Sequence, residues 1–226
     1  MSRAALVTAL VTGSAIATAG YFALRRPRPR ALPSGLLPIV TPIIDLRTAE
    51  DALATLDTLS TADEVTVLLH TYGGSMLASV LIASALRDFP RSRAIVPYLA
   101  SSGGTLIALN TAHLHMGRGA SLSAVDPVLE DGLRARDVPE DEPRAAVKSI
   151  ARHYGRAVRT FLRESLAARL YPRTGPPIDR AVALFMGDEA PHEWPIRRDQ
   201  IDALGIPVEP VARDWADLVD ATRRSW

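Results

Sequence analysis

The chain contains no cysteine, and among its 26 basic residues only Lys148 is a lysine. The missing thiols exclude disulfides and cysteine-ligated metal sites. Histidine is also scarce, at five residues with no pair at helical i, i+4 spacing, which argues against a zinc enzyme. Aromatic residues make up 5% and the net charge is +1, so no basic face interleaved with aromatics suggests a nucleic-acid partner. What is present is a chain of 226 residues with 47% hydrophobic content, enough to bury a sizeable core in one domain.

One stretch lacks charge altogether. From Ala4 to Leu24 no side chain is charged, and at about 1.5 Å per residue a helix of that length spans roughly the thickness of a hydrocarbon core. Its Ala, Gly and Thr content and the "ATA" before Gly20 also fit a cleaved signal peptide. Only Arg3 precedes the stretch, whereas Arg25, Arg26, Arg28 and Arg30 follow it, and dense positive charge stays cytoplasmic. The expectation is a single-pass anchor over 1–24, a proline- and arginine-rich linker over 25–35, and a cytoplasm-facing domain over 36–226.

Within that domain the pattern alternates. "LPIVTPIIDL" is an apolar run bounded by prolines, "TAEDALATLDTLS" an amphipathic helix opened by a Thr48 cap, and "EVTVLLH" a buried, β-branched strand. "GSMLASVLIASALRD" is helical, "RAIVPYLAS" a strand and "GGTLIALNTA" helical again. Alternating buried strands and helices predict an α/β domain with a parallel sheet. Further on, "EPRAAVKSIARHYGRAVRTFLRESLAARLY" predicts one long amphipathic helix and "IDRAVALFMGDE" a short one. A helix ending at Gly205, a short strand and a surface helix close the chain.

Two glycine turns, "HTYGGS" at 70–75 and "SSGGT" at 101–105, fall where a buried strand gives way to a helix. Such turns gather at the carboxyl ends of parallel strands, where α/β sheets bind ligands. Their backbone N–H groups can face a developing oxyanion, and a serine just before the helix is placed as a nucleophile. Spacing alone is equally satisfied if Ser101 or Ser102 merely caps the helix and the glycines permit tight packing.

A wider pattern bears on that choice. "LHTYGG", "SGGTLIAL", "VDP" at 125–127, "HEWPI" at 192–196 and "LGIPV" at 204–208 occur in this order. Together they resemble the serine dehydrogenase proteinases of the Clp protease/crotonase superfamily, with the "SGG" form similar to the signal peptide peptidases. Tyr72 departs from the family's proline, and Gly103 from its alanine. The resemblance implies a Clp-like parallel sheet of stacked βα units and a serine peptidase with no cofactor or metal. It also implies a homo-oligomer acting on a peptide or membrane-protein substrate, with the long helix over 144–170 as a contact surface. By position Ser102 is the nucleophile, Gly74 and Gly103 supply the oxyanion hole, and Gly73 permits close approach.

Two bases are open for Ser102, whose hydroxyl needs one within hydrogen-bond reach. The family's Ser–Asp–His order maps onto Ser102, Asp126 and His192, with Asp126 on the segment that bears the Clp histidine; a turn at Asp126-Pro127 and a loop-capping His192 are the alternative. Lys148 fits the Ser–Lys order of signal peptide peptidases, because lysine, unlike arginine, can deliver a neutral base; a solvated lysine is the alternative. His70 is expected to hold the first turn, His113 and His115 to share one side of a strand, and His153 to face solvent. A crotonase-like acyl-CoA enzyme would leave the serine idle, and a non-catalytic membrane scaffold would need no base.

Overall fold

In a computed structural model of the chain, residues 34–129, 132–170, 175–188 and 190–224 are described. The expected anchor over 1–24 and nearly all of the linker lie outside them. Among the described residues no helix is long and apolar enough to cross a membrane.

The domain is an α/β structure on a five-stranded sheet. Its strands are β1 (Leu36–Val40), β2 (Val65–His70), β3 (Ser92–Val96), β5 (His113–Met116) and β8 (Val208–Pro210), in the order β1-β2-β3-β5-β8. All four pairings are parallel. A three-stranded sheet joins β4 (Leu99–Ala100), β6 (Ser121–Leu122) and β7 (Ile196–Arg197). The helices are α1 (Leu46–Asp57), α2 (Met76–Leu86), α3 (Gly103–Leu109), α4 (Ala145–Ala167), α5 (Pro176–Phe185), α6 (Arg198–Ala203) and α7 (Arg213–Arg223).

β2 is buried at every position because both sides of the sheet are covered. Val65, Val67 and Leu69 point into the main core with Ile82, Leu106 and Phe185, whereas Leu68 meets Val219 of α7. The uninterrupted apolar run is thus the imprint of a central parallel strand.

The structure adjusts several boundaries. The expected strand "RAIVPYLAS" divides at Pro97, which has no N–H to give a ladder, so β3 stays in the large sheet and β4 joins the small one. α1 is capped by Asp45 rather than Thr48: the Thr48 N–H donates to Asp45 Oδ1 at 2.8 Å, and the Thr48 hydroxyl faces the Asp45 N–H at 3.4 Å. A carboxylate at that position is the better partner for an orphan N–H and the helix dipole.

Candidate active site

The two glycine turns lie side by side. A parallel bridge joins Thr71 to Ala100, with the Ser101 N–H donating to the Thr71 carbonyl at 3.0 Å. The first turn is held from below by the loop after β1: the Ile44 N–H reaches the Gly73 carbonyl and the Ser75 N–H reaches the Ile44 carbonyl, each at 2.7 Å. Tyr72 adds to this brace, because its N–H, absent from a proline, donates to the Pro42 carbonyl at 3.2 Å. The departure from the family proline therefore exchanges a rigid ring for a hydrogen bond.

Ser102 occupies the turn into α3 at φ 50°, the only non-glycine among the described residues with a positive φ. Such a conformation persists only where the surroundings impose it. Here the Ser102 N–H donates to Ser123 Oγ at 2.9 Å. Ser123 is fixed in turn by Thr105, whose hydroxyl accepts from the Ser123 N–H at 3.0 Å. Ser102 stands at the N-cap of α3, yet its side chain makes no capping bond. Its hydroxyl is left uncommitted.

Glycine is required around it. A Cβ on Gly73 would stand 2.7 Å from Ser102 Cβ, and one on Gly103 would stand 2.1 Å from Ser79 Oγ. The Gly73 N–H is engaged by the Thr71 hydroxyl at 3.1 Å. The N–H groups of Gly74 and of Gly103, the first residue of α3, donate to no described group.

The antiparallel pairing of β6 with β7 sets Leu122 opposite Ile196, which carries the segment after β6 alongside the one before β7. Asp126 and His192 meet there: His192 Nδ1 donates to Asp126 Oδ1 at 2.8 Å. That bond selects the tautomer with Nε2 as acceptor. Asp126 is 1% exposed, and Arg134 Nε and Arg136 Nε each lie 3.8 Å from its Oδ2.

Lys148 is not in that pair. It lies on α4, half-buried, with Nζ donating to the Glu140 carbonyl at 2.9 Å. It lines a cavity of about 500 Å³ that also borders Asp126 and Arg136. Among the described residues the Ser102 hydroxyl is hydrogen-bonded to neither His192 nor Lys148.

The other histidines lie elsewhere. His70 is buried with its ring edge-on to Tyr98 at 5.8 Å, and burial lowers its pKa. Nδ1 of His113 and of His115 stand 3.8 and 3.7 Å from the Glu209 carboxylate, on one side of β5. His153 is exposed and contacts the Ser149 carbonyl. No cluster of described residues forms a metal site.

Sequence reasoning missed Ser123, Thr105 and Arg169. Arg169 closes the far end of α3 by donating to the Leu109 carbonyl at 2.9 Å, and its burial pulls the guanidinium pKa down to about 10. Nothing in "SLSAVDP" marks Ser123 as the support of a backbone N–H twenty-one residues away.

Residues 34–140 match the ClpP-like SDH-type serine proteinase family. The resemblance read from the short motifs is thereby shown, and the matched segment holds both glycine turns, Ser102 and Asp126 but ends before Lys148 and His192. Two proteins of Methanocaldococcus jannaschii named as uncharacterized, MJ0137 and MJ1495, are each 29% identical over 74% of this chain. The chain spans only 62% and 60% of their lengths. Among solved structures, the fold is similar to a point mutant of the 1510-N membrane-bound stomatin-specific protease, with a TM-score of 0.54 and 18% identity over 81% of this chain and 80% of that one. It is also similar to ClpP1 from Listeria monocytogenes, with a TM-score of 0.52 and 13% identity over 80% of this chain and 95% of that one.

Proposed function

We propose that this protein is a membrane-anchored serine peptidase that cleaves peptide bonds through an acyl-enzyme on Ser102, with His192 as general base and Asp126 as the acid that orients it. The observation that carries the reading is the strained Ser102 turn. A serine is held at positive φ with its hydroxyl unspent, directly against a glycine turn in which the Gly74 N–H donates to no described group. The ClpP-like family match and the two protease-fold neighbours support the same reaction class.

In the reaction Ser102 Oγ attacks the scissile carbonyl carbon and its proton passes to His192 Nε2. The Gly74 and Gly103 N–H groups receive the carbonyl oxygen as it gains charge. The C–N bond then breaks, the amine leaves with the proton from His192, and water hydrolyses the ester by the reverse sequence. For the proton transfer His192 Nε2 must come within hydrogen-bond reach of Ser102, a bond that commonly tightens only with substrate bound.

A second reading has its own observation: Lys148 and Asp126 line one cavity, so the lysine is the other base near the site. Its bond to the Glu140 carbonyl weighs against it. Fluorophosphonate labelling separates these possibilities. Wild type reacts, Ser102→Ala does not, His192→Ala slows by about 10²-fold or more, and Lys148→Arg keeps the wild-type rate. Labelling that survives Ser102→Ala defeats the covalent mechanism.

The charge-free stretch Ala4–Leu24 with its arginine flank supports a single-pass anchor and a cytoplasm-facing domain. Assembly into a homo-oligomer is supported by α2, whose outer face exposes Leu77 and Leu81.

A further inference from the structure

The cavity of about 500 Å³ beside Asp126 has a strongly cationic wall. Arg136, Lys148, Arg152, Arg156 and Arg159 line it, against the carboxylates of Asp126 and Glu140. α4 supplies four of the five cations, and over its 23 residues it carries one acid, Glu164. Lys148, Arg152 and Arg156 recur every four residues and so share one face. Like charges at that spacing destabilise a helix, and no acidic residue in the first turn of α4 offsets the positive end of its dipole.

Among the described residues not all of this charge is neutralised. Arg159 and Arg136 are held by Asp188 at 2.9 and 3.1 Å, and Arg136 also donates to the Gly187 carbonyl. Asp126 is paired with His192. Among the described residues the side chains of Arg152 and Arg156 make no ion pair or hydrogen bond, whereas Lys148 donates to the Glu140 carbonyl and lies within Coulombic reach of the Glu142 carboxylate. Among the described residues this wall presents two guanidinium groups without an ion pair, Arg152 and Arg156, to a concave space large enough for a short peptide segment.

We infer that the cavity between α4 and the Asp126 segment binds an acidic stretch of the peptide substrate, with Arg152 and Arg156 as its specificity-determining residues. This rests on the peptidase reading, because the cavity borders Asp126, the partner of His192, so that its occupant would be a part of the substrate lying beside the proposed site. Guanidinium groups suit the task because they bind carboxylates through paired N–H donors and stay charged at any working pH.

The test uses full-length Ser102→Ala protein, which cannot turn substrate over, and a fluorescein-labelled peptide made with either three glutamates or three glutamines. Anisotropy at low ionic strength is expected to show the glutamate peptide bound at least about tenfold more tightly. Adding Arg152→Gln and Arg156→Gln is expected to remove that difference. Equal affinity for the two peptides, or a difference untouched by the double variant, overturns the proposal. It is also overturned if the double variant loses binding to phosphatidylserine vesicles while peptide binding stays unchanged, since the cations then face lipid. Fluorophosphonate labelling of the wild type is read separately. A wild type that fails to label sinks the peptidase reading while the anisotropy still decides the acidic ligand.

Discussion

At the scale of single residues, the site is governed by what stands next to Ser102. The hydroxyl is useful because it is not spent on capping α3, and it is not spent there because Ser123 holds the Ser102 backbone in a conformation that a free chain would leave. Gly73 is the most exacting neighbour, with φ at +104° and no room for a Cβ against Ser102. Gly73→Ala is expected to cost about 1–3 kcal/mol of stability through backbone strain and to slow fluorophosphonate labelling by about 10²-fold, the usual effect of displacing a reacting group by about 1 Å. A folded Gly73→Ala protein that labels at the wild-type rate would show that the turn does not position the serine. The glycine turns were legible in the sequence because special backbone geometry restricts residue type, whereas Ser102 is singled out from Ser101 only by the family resemblance. Ser123 was not, since any of several polar residues can accept a hydrogen bond from an N–H and none leaves a spacing rule.

At the scale of elements, the alternation of apolar strands and helices was readable because each central strand is covered on both faces. The division of "RAIVPYLAS" into β3 and β4 was less so: Pro97 signals a break in a ladder but not that the chain changes sheets. The meeting of Asp126 and His192 depends on the β6–β7 pairing, a contact between two-residue strands that no periodicity can announce. α2 departs from the usual amphipathic pattern. Its inner face packs Ala78, Ile82 and Leu86 into the core, while Leu77 and Leu81 are 59% and 39% exposed on the other side. A helix apolar all round is ordinarily covered, and the proposed occupant is a second copy. Leu77→Lys/Leu81→Lys is expected to shift the sedimentation coefficient toward that of a monomer of 24.3 kDa without unfolding the chain; an unchanged oligomer places the interface elsewhere.

At the scale of the whole molecule, the family match and the proposed chemistry divide the chain unevenly. The matched segment 34–140 carries the Ser102 turn and Asp126, whereas both proposed bases lie beyond it. The two glycine turns are therefore the part most visible from sequence, and choosing between His192 and Lys148 as the proposed base is the part that needs three dimensions. The proposed anchor would set where the proposed reaction takes place. Removing residues 1–33 is expected to move the protein from the membrane pellet to the soluble fraction while Ser102 labelling continues, and continued pelleting after alkaline carbonate washing would contradict a single anchor there. The account as a whole stands on one covalent bond. Peptide mass mapping after exposure to a fluorophosphonate should find one adduct per chain, on Ser102, and none in the Ser102→Ala protein; an adduct on Ser101 or another residue, or no adduct on the wild type, would contradict it.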